Sequence, residues 1–221
     1  MPPPLDIIFA DEHLAVINKP AGLLSVPGKG EANQDCVAAR VARTFPHATG
    51  PLIVHRLDMD TSGLLVVGLT ADAQRALSKQ FEQRLTEKAY IAVVAGHVAR
   101  DAGEVSLPIR TDIDNRPRQI VDWIHGKPSI THFTVLSRDD NATFPRTRLR
   151  LIPVTGRTHQ LRVHCAAPIT TEGGGLGTPI IGDPLYGDKS LSPRMLLHAA
   201  ELTFTHPATN ARMHMHSDVP F

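Results

Sequence analysis

The stretch His55-Arg56-Leu57-Asp58-Met59-Asp60-Thr61-Ser62-Gly63-Leu64 gathers two carboxylates, a guanidinium, two hydroxyls and a glycine. Apolar runs enter it (Leu52, Ile53, Val54) and leave it (Leu64, Leu65, Val66, Val67). β-Branched runs of this kind predict short strands on both sides. A turn with only structural duties needs Gly, Asn and Asp. An arginine two residues before an aspartate goes beyond that need. A carboxylate held at a strand edge within reach of a cation can act as a nucleophile. Asp58 can equally be a turn residue that caps backbone amides, and the local pattern leaves both open. If strand alternation holds, Arg56 lies on the same face as Asp58. A surface ion pair would satisfy the same spacing.

Other reactive residue types are scattered. His55, His159 and His164 lack the HExxH spacing and an acidic ligand beside them, so no metal site is expected. Cys36 and Cys165 have no CxxC spacing and are expected to be free, buried thiols of a reducing cytoplasm. Asp58-Met59-Asp60 after an apolar run also resembles the DxD nucleophile of the magnesium-dependent haloacid dehalogenase phosphatases. Asp183 and Asp188 would then supply the distal acids. Against that reading, Ser62 stands where Thr is usual, and His55 and Arg56 crowd the strand. The helix–strand alternation of a parallel sheet is absent too.

The elements that must position these residues follow from periodicity. Leu5–Phe9 and His13–Asn18 predict a hairpin, and Lys19-Pro20 ends its second strand. Gly22–Gly30 reads as a loop and Asp35–Phe45 as a short helix with Val37, Val41 and Phe45 on one side. Thr70 is the expected N-cap of a helix carrying Ala73, Leu77 and Phe81 on its apolar stripe. Strands are expected at Lys88–Ala95, Gly103–Leu107, Thr131–Ser137, Arg146–Pro153 and Leu196–Phe204, with a polar turn at Asp139-Asp140-Asn141. A basic section, Arg110–Lys127, carries Arg110, Arg116, Arg118 and Lys127, diluted by Asp112, Asp114 and Asp122. A helix is expected over His159–Ala167, followed by a glycine-rich loop at 172–177. This order suits one α+β domain over residues 1–221, built on a mixed, largely antiparallel sheet with flanking helices.

Composition bounds the function. The 221 residues can bury a sizeable core. The formal net charge of +1 announces no global basic field, so any polyanion would have to be met by local clusters. The N-terminus lacks the apolar core of a signal peptide, and no run has the roughly 18 apolar residues of a membrane span. A cytoplasmic protein without a membrane partner is expected, with a monomer as the default.

The sequence of motifs, taken together, resembles the RluA-type pseudouridine synthases. His55–Leu64 is similar to their HRLDxxTSGL signature. Lys19-Pro20-Ala21-Gly22-Leu23-Leu24-Ser25-Val26-Pro27-Gly28 resembles their KPxGLxVxPG segment, and Lys88-Ala89-Tyr90-Ile91-Ala92 their KxYxA strand. Thr155–His164 resembles TGRxHQxRxH. Ile180–Gly187 and Leu196-Leu197-His198-Ala199 complete the set in family order. The resemblance implies an enzyme that isomerises uridine to pseudouridine in structured RNA, with no cofactor. Asp58 would be the catalytic aspartate, Arg162 the arginine that pairs with it, and Tyr90 the active-site tyrosine against the target base. Arg56 would fill the gap left by the flipped base. Lys19, Arg116, Arg118, Arg157 and His55 are the further candidate RNA contacts.

The same resemblance implies the pseudouridine synthase fold. The catalytic hairpin starts almost at residue 5, so the additional S4 RNA-binding domain of some members is not expected. Asn115-Arg116-Pro117-Arg118-Gln119 and Gly126-Lys127-Pro128 look like the branch associated with a large-subunit rRNA hairpin and the anticodon stem-loop of some tRNAs. One departure is the long loop from Ala166 to Gly177, with Thr178 where the family commonly has His. A non-catalytic RNA-binding module on the same fold is the remaining alternative. Asp58, Tyr90 and Arg162 together argue against it.

Overall fold

The computed structural model describes residues 3–140, 143–170 and 174–221. Its strands in chain order are β1 (Asp6–Ala10), β2 (Leu14–Lys19), β3 (Ser62–Gly68), β4 (Glu87–Ala95), β5 (Ala102–Thr111), β6 (Gln119–Val121), β7 (Lys127–Asp139), β8 (Arg146–Pro153), β9 (Leu197–Thr205) and β10 (Arg212–His216). The helices are α1 (Val37–Thr44), α2 (Ala71–Glu82) and α3 (Gln160–Ala166). The chain divides into two compact units, Met1–Lys88 with His198–Pro220, and Ala89–Leu197 with Phe221. The class is α+β, as the periodicity predicts. No helix among the described residues is long and apolar enough to cross a membrane.

In the first unit β1 pairs antiparallel with β2 and β2 with β3, while β3 runs parallel to β9 and β10 closes antiparallel on β9. Every residue of β3 is buried. A strand covered on both faces needs a continuous apolar run rather than alternation, which is what Leu64–Val67 supplies. The core joins Leu14, Val16, Leu64, Val66, Leu77, Leu202 and Phe204. Leu77 comes from α2, whose N-cap is Thr70, its hydroxyl accepting from the Ala73 amide at 3.2 Å. Gly63 sits at φ 111°, and a Cβ there would lie 2.3 Å from the Ala199 carbonyl oxygen. Only glycine allows β3 and β9 to meet at Ser62↔His198 and Gly63↔Ala199.

In the second unit β4 pairs with β8, β8 with β7, β7 with β5 and β5 with β6, all antiparallel. β5 and β8 alternate between buried and more exposed residues, as half-buried strands do. The inward set, including Val105, Leu107, Phe133, Leu149 and Leu151, is joined by Leu161 and Cys165 of α3.

Several local expectations are corrected. Leu52–Val54 is not a strand. Leu52 follows Pro51 at φ 57°, and Ile53 makes only an isolated bridge to Val67. The helix expected from Asp35 starts at Val37, because Cys36 is its cap and the Asp35 carboxylate instead forks onto Arg40 at 2.9 and 2.6 Å. β6 lies inside the basic section and β10 beyond the last expected strand. β10 reads Arg-Met-His-Met-His, a period of two in which Met213 and Met215 pack on the first core. The expected turn at Asp139-Asp140-Asn141 and glycine loop at 172–177 fall partly outside the described residues.

Candidate functional site

Asp58 lies in a non-regular segment before β3, and its backbone is gripped on both sides. On one side the Ser25 hydroxyl donates to the Leu57 carbonyl at 2.7 Å and accepts from the Leu57 amide at 3.2 Å. The buried Leu57 side chain anchors the same residue. On the other side the Met59 carbonyl accepts from Lys19 Nζ at 2.9 Å and from the Gly22 amide at 2.9 Å. The Thr61 amide closes a turn onto the Asp58 carbonyl at 3.1 Å. The carboxylate-bearing residue is thus fixed by bonds to its neighbours' main chain. Arg56 is exposed and Asp58 half-buried, with buried Leu57 between them.

The end of the loop is held by a chain of buried polar groups. Ser62 Oγ lies 2.8 Å from His198 Nδ1, and His198 Nε2 lies 3.1 Å from Ser217 Oγ. All three residues are buried. Buried polar groups that are mutually satisfied specify one arrangement.

Two candidate contacts are corrected here. Lys19 is fully buried, and its ammonium donates to the carbonyls of Pro20 (3.0 Å), Leu23 (2.7 Å) and Met59 (2.9 Å). A buried ammonium whose donors face carbonyls is not offered to phosphate. His55 stacks on Phe81 with centroids 4.1 Å apart and an interplanar angle of 15°. Its Nε2 accepts from the Val66 amide at 3.3 Å. Burial, and then the charge of Lys88, push its pKa down to about 3. It is a neutral packing residue rather than a cationic RNA contact.

In the second unit Gln160 locks the turn before α3. Its Oε1 accepts from the Thr155 hydroxyl (2.7 Å) and the Arg157 amide (3.0 Å), and its Nε2 donates to the Ile130 carbonyl (2.9 Å) and Thr131 Oγ1 (3.0 Å). One turn into the helix, Arg162 meets Asp183 through a two-pronged contact, Nε to Oδ2 at 2.8 Å and an η nitrogen to Oδ1 at 2.7 Å. Asp183 also accepts from the amides of Leu185 (2.8 Å) and Tyr186 (3.1 Å). Burial alone would raise the Asp183 pKa. The Arg162 bonds and charge with these amides reverse that and hold it below the usual carboxylate range. Both groups are essentially inaccessible to solvent, so this bridge orients Arg162 rather than adding a surface charge.

Tyr186 extends the cluster. Its hydroxyl accepts from the Gln119 amide at 2.7 Å and lies 2.8 Å from His159 Nδ1. The guanidinium groups of Arg162 and Arg118 lie 5.2 and 5.3 Å from its ring centre, within cation–π range. His164 Nε2 lies 2.9 Å from Ser129 Oγ, whose proton goes to the Leu107 carbonyl at 2.5 Å. Nε2 must therefore donate, and burial pushes the His164 pKa down to about 4. Tyr90 is half-buried on β4 opposite Leu151 and packs on the second core. Arg116, Arg118 and Arg157 are exposed. Tyr186 and His198 are not singled out by the sequence as site residues, and Asp183 is named there only as a distal acid of the phosphatase reading. The Ile180–Gly187 and Leu196–Ala199 segments that carry them were the available signal.

The phosphatase reading fails on this geometry. No strand leads directly into Asp58, since residues 54–57 are in none, and Asp183 has both oxygens committed to Arg162 and main-chain amides.

The chain matches the family model described as RNA pseudouridylate synthase over residues 13–167. It is 45% identical over 218 residues to the dual-specificity RNA pseudouridine synthase RluA of Yersinia pestis, spanning 97% of this chain and 99% of that protein. It is 48% identical over 214 residues to the protein of the same description from Haemophilus influenzae, spanning 96% and 91%. Among solved structures, human RNA pseudouridylate synthase domain containing 1 superposes with a TM-score of 0.78 at 30% identity, covering 100% of this chain and 87% of that one.

Two outcomes follow from the buried groups. Asp183→Asn keeps the shape but removes the carboxylate charge that faces buried Arg162, and urea unfolding should show a loss on the order of 3–5 kcal/mol. A loss below about 1 kcal/mol, the range of exposed pairs, would contradict the role given to the bridge. His55 titrates at 6.5 when unfolded and about 3 when folded, so the unfolded chain binds the proton first. Stability is then highest above pH 6.5 and falls as pH drops toward 3. His55→Phe should flatten that decline in a pH series of unfolding midpoints, with His164 supplying part of what remains. Identical slopes would contradict the account.

Proposed function

Since the chain belongs to the RNA pseudouridylate synthase family and is a pseudouridine synthase, we propose that Asp58 is the nucleophile with which it isomerises uridine in structured RNA. The observation that supports this reading is the grip on Leu57 and Met59, which holds the backbone of Asp58 from both sides. A nucleophile so placed loses little freedom when the substrate arrives.

The target base must first leave the helical stack. Arg56, exposed and two residues from Asp58, is the side chain we assign to the vacated position. The Asp58 carboxylate attacks the sugar or the base, and the N1–C1′ glycosidic bond breaks. The base turns, C5 bonds to C1′, the bond to Asp58 breaks to return the free carboxylate, C5 gives up its proton to a base and N1 takes one up. Atoms and electrons balance without an oxidant or reductant, so the isomerisation calls for no cofactor. Tyr90 is assigned to the face of the target base, where a phenol can stack and take up a proton. Arg162, oriented by Asp183, is the cation of the catalytic set. Arg116, Arg118 and Arg157 are assigned to phosphates, whose contacts position RNA without reading its sequence.

The bacterial relatives are dual-specificity RNA pseudouridine synthases. We extend that to this chain as action on more than one stem-loop, a large-subunit rRNA hairpin and a tRNA anticodon stem-loop. The test is tritium release from RNA labelled at uracil C5. Wild-type protein should release tritium. Asp58→Asn should release none while still binding the RNA, since removing a negative charge does not weaken phosphate contacts. Wild-type turnover by Asp58→Asn would overturn the assignment.

A further inference from the structure

The turn joining β6 to β7 is built to hold still. Asp122 Oδ1 accepts from the amides of Ile124 and His125, each at 2.9 Å, and Oδ2 accepts from Arg110 Nε at 2.5 Å. These bonds hold the Asp122 carboxyl well below the usual carboxylate range, the His125 amide being the strongest cause. The Asp122 amide donates to the Pro108 carbonyl and the Gly126 amide to the Asp122 carbonyl, both at 2.9 Å. A Cβ on Gly126 would lie 2.3 Å from the Asp122 carbonyl oxygen, so the turn closes only over glycine.

This pinned turn displays Trp123 at 66% exposure and Ile124 at 85%. Single exposed apolar side chains are ordinary. A tryptophan and an isoleucine side by side on a main chain fixed by five hydrogen bonds are not explained by packing. Cations outnumber carboxylates around the turn, Asp112 and Asp114 being the carboxylates of the loop between β5 and β6. Lys127 follows the turn in register with Ile109, which also pairs with Val121. Arg157 reaches the neighbouring Pro128 carbonyl at 3.3 Å. Arg116 and Arg118, both exposed, lie between β5 and β6. The turn's own carboxylate does not cancel these charges, because Arg110 and two amides hold it. An apolar, aromatic crest flanked by cations is complementary to a base flanked by phosphates.

We propose that Trp123, with Ile124 beside it, is a stacking platform for an unpaired base of the RNA substrate, and that Lys127 and Arg157 meet the adjoining phosphates. The proposal rests on the reading of the chain as an enzyme acting on stem-loop RNA, and adds a recognition residue to it.

Trp123 is the only tryptophan in the sequence, so emission excited at the red edge of the indole band, where the two tyrosines do not absorb, reports on this residue alone. The probe is a synthetic RNA hairpin with a uridine-containing loop, bound to the Asp58→Asn protein. A blunt duplex of the same stem is the control. The emission should be quenched saturably by the hairpin and not by the duplex. Trp123→Ala should weaken hairpin affinity about tenfold, the scale of one base–aromatic stack, and Trp123→Phe by less than about threefold. Neither should change the slope of log K against log salt, since no phosphate contact is lost. Anisotropy of a labelled hairpin measures binding independently. Saturated hairpin binding with unmoved Trp123 emission would overturn the proposal. So would emission that shifts with protein concentration alone, which would place a second copy of the chain on the crest. If the wild-type protein turns the hairpin over while Trp123 stays silent, only this proposal falls. If it neither binds the hairpin nor releases tritium, the functional reading falls with it.

Discussion

A buried ammonium sets the position of the loop that carries Asp58. Lys19 is fully withdrawn from solvent, and Nζ donates to three carbonyls, those of Pro20, Leu23 and Met59. Burying a charge is costly unless it is matched by hydrogen bonds, and charge-assisted bonds to fixed carbonyls are the strong kind. The bonds to Pro20 and Leu23 fold the Lys19–Ser25 segment back on itself. The bond to Met59 ties that folded segment to the residue after Asp58. Ser25, from the same segment, then grips Leu57 on the residue before Asp58. One short stretch that starts at the end of β2 therefore dictates the main-chain path at Asp58, with Lys19 and Met59 40 residues apart in the chain.

The second unit uses different groups to the same end. Gln160 satisfies all four of its hydrogen-bonding positions across the turn before α3. Asp183 fixes the guanidinium of Arg162 while its remaining capacity holds the amides of Leu185 and Tyr186. Replacing such a pair by apolar residues can be neutral for stability. A charge that must point one way is better explained by function than by fold strength. Much of the polar content of the motifs is thus structural in the literal sense. It builds rigid main chain and oriented side chains.

The sequence makes the elements legible where periodicity is strong. The run Leu64–Val67, the stripe Ala73–Leu77–Phe81 with its Thr70 cap, and the alternating Arg146–Pro153 all fold as their patterns dictate. β10 escaped because its inward residues are methionines between histidines and an arginine, so the alternation is not one of β-branched residues. Leu52–Val54 misled because a positive φ after Pro51 stops a strand that composition favours. At the site, the motifs locate Asp58, Tyr90 and Arg162 as residues to consider, but not their environments. Asp183 is 21 residues from Arg162, and nothing local couples them. Lys19 at a strand end reads as a solvent-facing cation, and only the fold of the next four residues reveals three carbonyls converging on it. His55 reads as a candidate RNA contact, and burial, with the charge of Lys88, makes it neutral.

The claim that Lys19 organises the loop, rather than binding RNA, is tested most directly by Lys19→Met. This change keeps the length of the apolar stem and removes the three donors. Amide hydrogen exchange, RNA affinity over a salt series, and single-turnover tritium release would be compared with the wild-type protein. The account predicts faster exchange at Gly22 and Thr61, slower turnover of bound RNA, and an unchanged slope of log K against log salt. Native exchange rates together with a slope flattened by about 0.7 to 0.9, the loss of one phosphate contact, would contradict it.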